Sequence, residues 1–220
     1  MSEPRPISDV LTMTPEELVE WAKQKAAATT AVHGTPPTIS QADLDADYLA
    51  SCGFGKRYQH PDWSRVPADV ATQVAAYTAN LITNLEEGRG MLLVGLPGTG
   101  KTHILALVAL AARNKTVRRV EYVFAPHLFD ALHRNDRDEV GRWAKAGLLL
   151  LDDVCRLYST DWNTARFDTF AEDRYAAKLA TVATMNTTDV LRNEGLQRLK
   201  DRWSETLLPV TTQAKSQRGK

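Results

Sequence analysis

The sequence predicts an α/β fold in which a parallel sheet is covered by helices on both faces. Two observations predict it: short apolar runs alternate with segments of helical period from about residue 91 onward, and a glycine-rich turn separates the first run from the next helix. A third sets the scale, because 220 residues with 43% hydrophobic and 25% charged residues hold one domain and a short extension. That composition excludes a wholly disordered chain.

The elements run in order along the chain. Around residues 13–18, Thr14 caps, Pro15 takes the first helical position, Glu17 completes a capping box and Met13 staples onto Leu18. The helix started there, to about residue 28, has only Leu18, Trp21 and Ala22 on its apolar stripe and needs something to dock on. Gly34, Pro36 and Pro37 make residues 29–37 a linker, and a second short helix starts at Ser40. Val70, Val74, Tyr77, Leu81 and Leu85 recur every three or four residues and predict one helix over 67–88. Strands are predicted at 91–94, 120–124, 148–151, 181–185 and 206–210, and helices at 100–113, 126–134, 138–146, 164–177 and 196–204. The organisation expected is a helical segment and linker over 1–50 followed by one domain over 51–220.

Charge narrows the partners. Lysine plus arginine and aspartate plus glutamate both number 27, so any contact with nucleic acid must come from local patches. Residues 1–60 hold eight acids and five bases, which leaves the rest of the chain slightly basic. Neither a long apolar run nor a secretion signal stands in the sequence, and a cytoplasmic protein away from membranes is expected. Cys52 and Cys155 have no partner spacing and read as free thiols, and His33, His60, His127 and His133 form no metal pattern.

The chemistry sits at strand ends. Gly95-Leu96-Pro97-Gly98-Thr99-Gly100-Lys101-Thr102 fits the phosphate-binding loop GxxxxGK[ST] between a predicted strand and a predicted helix. Its glycines turn backbone amides inward around phosphates, and the helix N-terminus adds its dipole. Lys101 would reach the β- and γ-phosphates and the Thr102 hydroxyl would bind magnesium. The run of four leucines at 148–151 ends in Asp152, placed to hold magnesium, and Asp153, placed to orient or deprotonate an attacking water. Asn186 ends the next apolar strand and is a candidate to position that water; the alternative is an ordinary loop residue. Arg198 and Arg202, four apart on one helix face, either reach a neighbour's γ-phosphate or form a solvated basic face paired with Asp201 or Glu205.

Together these residues resemble the DnaC/IstB-like group of AAA+ ATPases, and among them the DnaC-type replicative helicase loaders of bacteria and phages. The resemblance covers about residues 54–220. It rests on Gly100-Lys101-Thr102-His103, on Asp152-Asp153, on Asp173-Arg174-Tyr175, on Thr184-Met185-Asn186, on Arg198-Leu199-Lys200-Asp201-Arg202, and on Ser216-Gln217-Arg218. It implies an AAA+ P-loop core with sheet order 5-1-4-3-2 and no C-terminal helical lid. It also implies bound ATP and Mg2+, with His103 beside the cofactor residues Gly95, Pro97, Gly98, Thr99, Gly100, Lys101 and Thr102. Asn186 would be sensor 1, Arg202 the arginine finger and Arg218 a sensor 2-type contact, with Arg198 and Arg174 as less certain arginines. Val154-Cys155 departs from the Leu-Gly that usually follows the two aspartates.

The function implied is ATP-dependent loading of a hexameric replicative helicase onto single-stranded DNA by a self-associating ring or spiral. Residues 1–50 would dock on the helicase. Phe129, Arg134 and Arg137 are the candidates for single-stranded DNA, since such binding needs cations and stacking aromatics. The competing reading of those three is a solvated basic face with Phe129 in the core. The alternative function is an IstB-like ATPase that regulates a transposase on duplex DNA.

Overall fold

Five parallel strands form the sheet, and their order explains where the chemistry collects. The strands are β1 (Gly90–Val94), β2 (Val120–Phe124), β3 (Leu148–Asp152), β4 (Ala180–Met185) and β5 (Leu207–Thr211), arranged β2-β3-β4-β1-β5. This is the expected 5-1-4-3-2 order viewed from the other edge. The register aligns Val94 with Met185, Leu151 with Ala183 and Phe124 with Asp152. The C-terminal ends of β1, β4 and β3 therefore lie side by side. The structure is a computed structural model that describes residues 40–113, 115, 119–154, 161–187 and 197–216. The predicted helix after residue 13, Cys155 and Arg218 lie outside the described residues.

The described helices are α1 (Gln41–Cys52), α2 (Ala68–Ala79), α3 (Leu81–Glu86), α4 (Lys101–Ala112), α5 (Ala125–Arg134), α6 (Arg137–Ala144), α7 (Asp161–Ala176) and α8 (Gln197–Thr206). Strand alternation sends Met91, Leu93, Leu148 and Leu150 to one face, where α1 to α4 cover them. Leu92, Leu149, Leu151 and Ala183 go to the other face, under α5 to α8. Two apolar clusters result, one on each side of the sheet.

One predicted helix is two. All five periodic residues of 67–88 are buried as expected, but the helix breaks at Asn80 between α2 and α3. The Thr78 hydroxyl donates to the carbonyls of Val74 and Ala75, and the Asn80 side-chain amide donates to Ala76 O. Side-chain donors compete there with the helical ladder. Gly90 answers a different need: a Cβ at this position would stand 1.7 Å from Thr181 O, so β1 and β4 meet there only without a side chain.

The described residues from Gln41 onward fold as one compact unit, and α1 is its first element. Leu49 and Cys52 of α1 are buried, and burial raises the Cys52 thiol above its ordinary range. Asp45 pairs with Arg113, whose guanidinium lies 5.5 Å from the Tyr48 ring centroid, which ties α1 to the end of α4. The residues that follow β5 are tied as well: Asp69, in the first turn of α2, accepts from Thr212 Oγ1 at 3.1 Å and from Gln213 N at 2.7 Å.

Arg174 of α7 is an interior strut. It is buried, and its Nε donates to Thr181 Oγ1 at 3.0 Å. One terminal nitrogen donates to the carbonyls of Trp143, Ala144 and Ala146, and the other donates to Ala180 O at 2.5 Å. The guanidinium closes the C-terminus of α6, where orphan carbonyls need donors and the helix dipole favours a cation. It holds that end against the start of β4.

Phe129 corrects the nucleic-acid candidates. It is 1% exposed and packs 5.1 Å from the Phe167 ring, because α5 turns that side chain into the cluster beneath α7. It offers no face to a base. Arg134 pairs with Glu139 at 3.4 Å and Arg137 is exposed in the first turn of α6. No helix among the described residues is long and apolar enough to cross a membrane.

Candidate nucleotide site

The loop after β1 has the backbone that phosphates require. Gly98 and Gly100 take positive φ of 84° and 90°, which favours glycine at both positions. Gly95 is packed so closely that a Cβ would meet Thr212 Cγ2 at 2.3 Å. Thr99 is buried and its hydroxyl donates to Leu96 O at 2.9 Å, which braces the turn from inside, while Pro97 is exposed. Gly100 precedes α4 without a side-chain cap, and a helix start leaves its first amides without partners inside the helix.

Lys101 starts α4 and reaches back across this loop. Its Nζ donates to Gly95 O at 2.6 Å, to Leu96 O at 3.0 Å and to Asn186 Oδ1 at 2.9 Å. Asn186 in turn donates from Nδ2 to Asp153 Oδ1 at 2.9 Å. One amide thus bridges the loop lysine and the second carboxylate. The position comes from topology: β4 lies between β1 and β3, so Asn186 at the end of β4 stands between the loop after β1 and the turn after β3.

Asp152 collects three hydroxyl donors. Thr102 Oγ1 donates to Oδ2 at 2.8 Å, Tyr122 to the same oxygen at 3.1 Å, and Thr184 to Oδ1 at 2.6 Å. Burial, with Asp152 beside it, raises the Tyr122 phenol far above the ordinary tyrosine range, so the ring keeps its proton. Asp153 takes a left-handed backbone with φ of 58°, an uncommon conformation that aspartate tolerates better than most residues. Its N–H donates to Thr184 Oγ1 at 2.8 Å.

A nucleotide with magnesium fits these residues. The Thr102 hydroxyl and the Asp152 carboxylate present hard oxygen donors within hydrogen-bond distance of each other, the donor type that magnesium prefers. Backbone amides of a glycine-rich loop at a helix start, together with the Lys101 ammonium, are the donors that phosphates need. Among the described residues no cluster of three or more histidine, cysteine, aspartate or glutamate side chains exists that would hold a metal by itself.

His103 lies apart from this cluster. Its Nε2 meets the Asp62 backbone at 2.8 Å, beside a short turn over Trp63–Arg65. Arg65 O would stand 3.4 Å from a Cβ on Gly100, so that turn lies against the phosphate loop. The two candidate fingers differ. Arg202 pairs with Asp168 at 3.5 Å and with Glu172, and lies 5.7 Å from the Tyr175 ring centroid. The Arg198 side chain is 80% exposed and only reaches Asp168 at 4.0 Å. Asp201 and Glu205, the partners expected from spacing, are not the ones these pairs use.

Sequence reasoning missed Tyr122 and the role of Thr184. Tyr122 in Val120–Phe124 reads as a core residue, and only the parallel pairing of Tyr122 with Leu150 sets its hydroxyl beside Asp152. Thr184 belongs to the Thr184-Met185-Asn186 motif, but its two contacts depend on β3 lying next to β4.

Sheet order, loop and flanking helices define the AAA+ P-loop NTPase fold. No family model matches the sequence, and no curated protein matches it either. Among solved structures, the chain is similar to DnaI with a TM-score of 0.61 and 21% identity, covering 76% of this chain and 95% of that one. It is similar to the DnaC helicase loader with a TM-score of 0.58 and 22% identity, covering 72% and 100%. The replication initiator DnaA bound to AMPPCP and single-stranded DNA is similar at 0.57 and 20%, covering 74% and 52%. At these identities the match is one of fold.

Proposed function

We propose that this chain is an ATPase that loads a hexameric replicative helicase onto single-stranded DNA, with ATP binding and hydrolysis switching assembly and release. The observation that carries the reading is the bridge from Lys101 through Asn186 to Asp153, beside the Thr102 and Asp152 pair. It brings together the lysine, the amide and the carboxylate to which this reading assigns roles within one subunit. Support for the loader role comes from the fold shared with DnaI and the DnaC loader, and for nucleotide and single-stranded DNA from the DnaA complex.

Each residue has a task in this scheme. The loop amides and Lys101 hold the β- and γ-phosphates, while Thr102 and Asp152 hold the metal. Magnesium, when bound, neutralises charge that develops on the phosphate oxygens. Asp153 accepts a proton from, or orients, the attacking water, and Asn186 fixes Asp153 and that water in line. Helix α8 supplies an arginine to the neighbouring subunit, and the segment before Gln41 docks on the helicase. Arg134 and Arg137 contribute cations to DNA. A role on replicating DNA places the protein in the cytoplasm.

The decisive experiment mixes the full chain with the replicative helicase of its own organism and ATP. Co-elution with the hexamer, and ATP-dependent transfer of that hexamer to circular single-stranded DNA, are expected. No complex, together with hydrolysis stimulated only by duplex DNA and a transposase, would replace this reading with the IstB-like one.

Two substitutions probe the chemistry. Asp153→Asn is expected to bind ATP within about threefold of the parent while turnover falls about 100-fold, the scale of a lost general base. A nucleotide titration alongside phosphate release checks it, and unchanged release would remove Asp153 from the reaction. Arg202→Ala should cut hydrolysis about a thousandfold, the lower range for an arginine finger. Mixing it with Lys101→Ala subunits, which still offer Arg202, should restore activity. If no mixing ratio does so, while Arg198→Ala shows both the loss and the rescue, Arg198 is the finger.

A further inference from the structure

Tyr122 takes no part in the hydrolysis scheme, yet it touches the proposed metal ligand. Its hydroxyl reaches Asp152 Oδ2 at 3.1 Å, the same oxygen that accepts from Thr102. Its ring stacks on Phe54, with centroids 4.2 Å apart and planes inclined by 27°. Phe54 is buried and comes directly after the corner that ends α1. At that corner Gly53 takes φ of 105°, the Gly53 and Phe54 amides donate to Ala50 O and Leu49 O, and a Cβ on Gly53 would stand 2.9 Å from Tyr122 O. The helix end thus closes directly onto β2 at Tyr122.

We infer that Tyr122 is a positioning residue for magnesium, orienting the Asp152 carboxylate through its hydroxyl, and that Phe54 couples the end of α1 to it. The inference rests on the ATPase reading and deepens it. A carboxylate that binds a metal through one oxygen works best when donors fix its rotation. Thr184 fixes Oδ1 from β4, and Tyr122 fixes Oδ2 from β2, so Asp152 is held from both neighbouring strands. Any shift of α1 moves the Phe54 ring, then the tyrosine, then the carboxylate. The metal site thereby senses α1, the first described helix in the sequence.

The test measures binding of a fluorescent ATP analogue by the full chain across a Mg2+ titration, and again in EDTA. Tyr122→Phe keeps the ring and removes only the hydroxyl. It is expected to raise the Mg2+ midpoint about tenfold, the lower end for loss of an outer hydrogen bond at a metal site. Affinity in EDTA should stay within twofold of the parent's despite a small fall in melting temperature from the one lost hydrogen bond, whereas a merely structural role would weaken binding with and without Mg2+ alike. Phe54→Leu should shift the midpoint the same way by about threefold, by analogy with such outer contacts.

A Tyr122→Phe midpoint within twofold of the parent overturns the positioning role. A Phe54→Leu midpoint equal to the parent's overturns the coupling to α1. A parent chain that binds no nucleotide at any Mg2+ concentration removes the ATPase reading, and this inference with it. An Mg2+-dependent parent with an unmoved Tyr122→Phe midpoint removes only the inference.

Discussion

Lys101→Ala is expected to weaken ATP binding at least about 100-fold, the loss anticipated when one or two charge-assisted hydrogen bonds to phosphate disappear. The lysine stands at the first residue of α4 with its ammonium on the carbonyls of Gly95 and Leu96. That ammonium is therefore a buried cation held between the loop and the Asn186 amide. Alanine suits a helix start and keeps the glycine turn, but it leaves the Gly95 and Leu96 carbonyls without this donor, so a modest loss of stability is expected beside the larger loss of affinity. A titration with a fluorescent analogue, paired with a thermal melt, separates the two. Affinity within tenfold of the parent would contradict the assignment of this loop to phosphates.

Arg174→Ala should have the largest effect on stability, about 3–5 kcal/mol, because it strands several buried acceptors at once. The carbonyls of Trp143, Ala144, Ala146 and Ala180 would each lose a charged donor. For a domain of this size such a loss lowers the melting temperature by about 10 °C or more. Lysine at this position should recover little, since an ammonium does not span acceptors that a planar guanidinium reaches on two sides. Urea unfolding of the parent, Arg174→Ala and Arg174→Lys checks the order. Equal midpoints would show that α6 closes without this strut. Nucleotide affinity of the folded variants should be unchanged, because the contacts lie at the start of β4 and not at its end.

The lysine and the arginine differ in how legible their roles were. Lys101 comes from a local pattern: glycines that demand positive φ, a strand before them and a helix after them. The four leucines before Asp152 and the period of Val70 to Leu85 were legible for the same reason, since apolar spacing reports which face is buried. The break at Asn80 was not, because it arises from side-chain hydroxyl and amide donors that compete with the helix. Arg174 belongs to the Asp173-Arg174-Tyr175 motif, but its carbonyl partners lie about thirty residues away at the end of α6 and just after it, as well as on β4.

The same divide runs through the site. Sequence alone determined where the strands and most of the described helices form, which strand ends carry polar groups, and which loop carries the phosphate-binding pattern. These are consequences of backbone geometry and local period, which a chain carries before it folds. Tertiary structure decided the partners. Placing β4 between β1 and β3 joined Asn186 to both Lys101 and Asp153, aligning β2 with β3 brought Tyr122 to Asp152, and packing α8 on α7 gave Arg202 to Asp168 and Glu172. It also buried Phe129 beneath α7. Side-chain pairing across the sheet depends on strand order and register, and those are set by how both apolar faces are covered together.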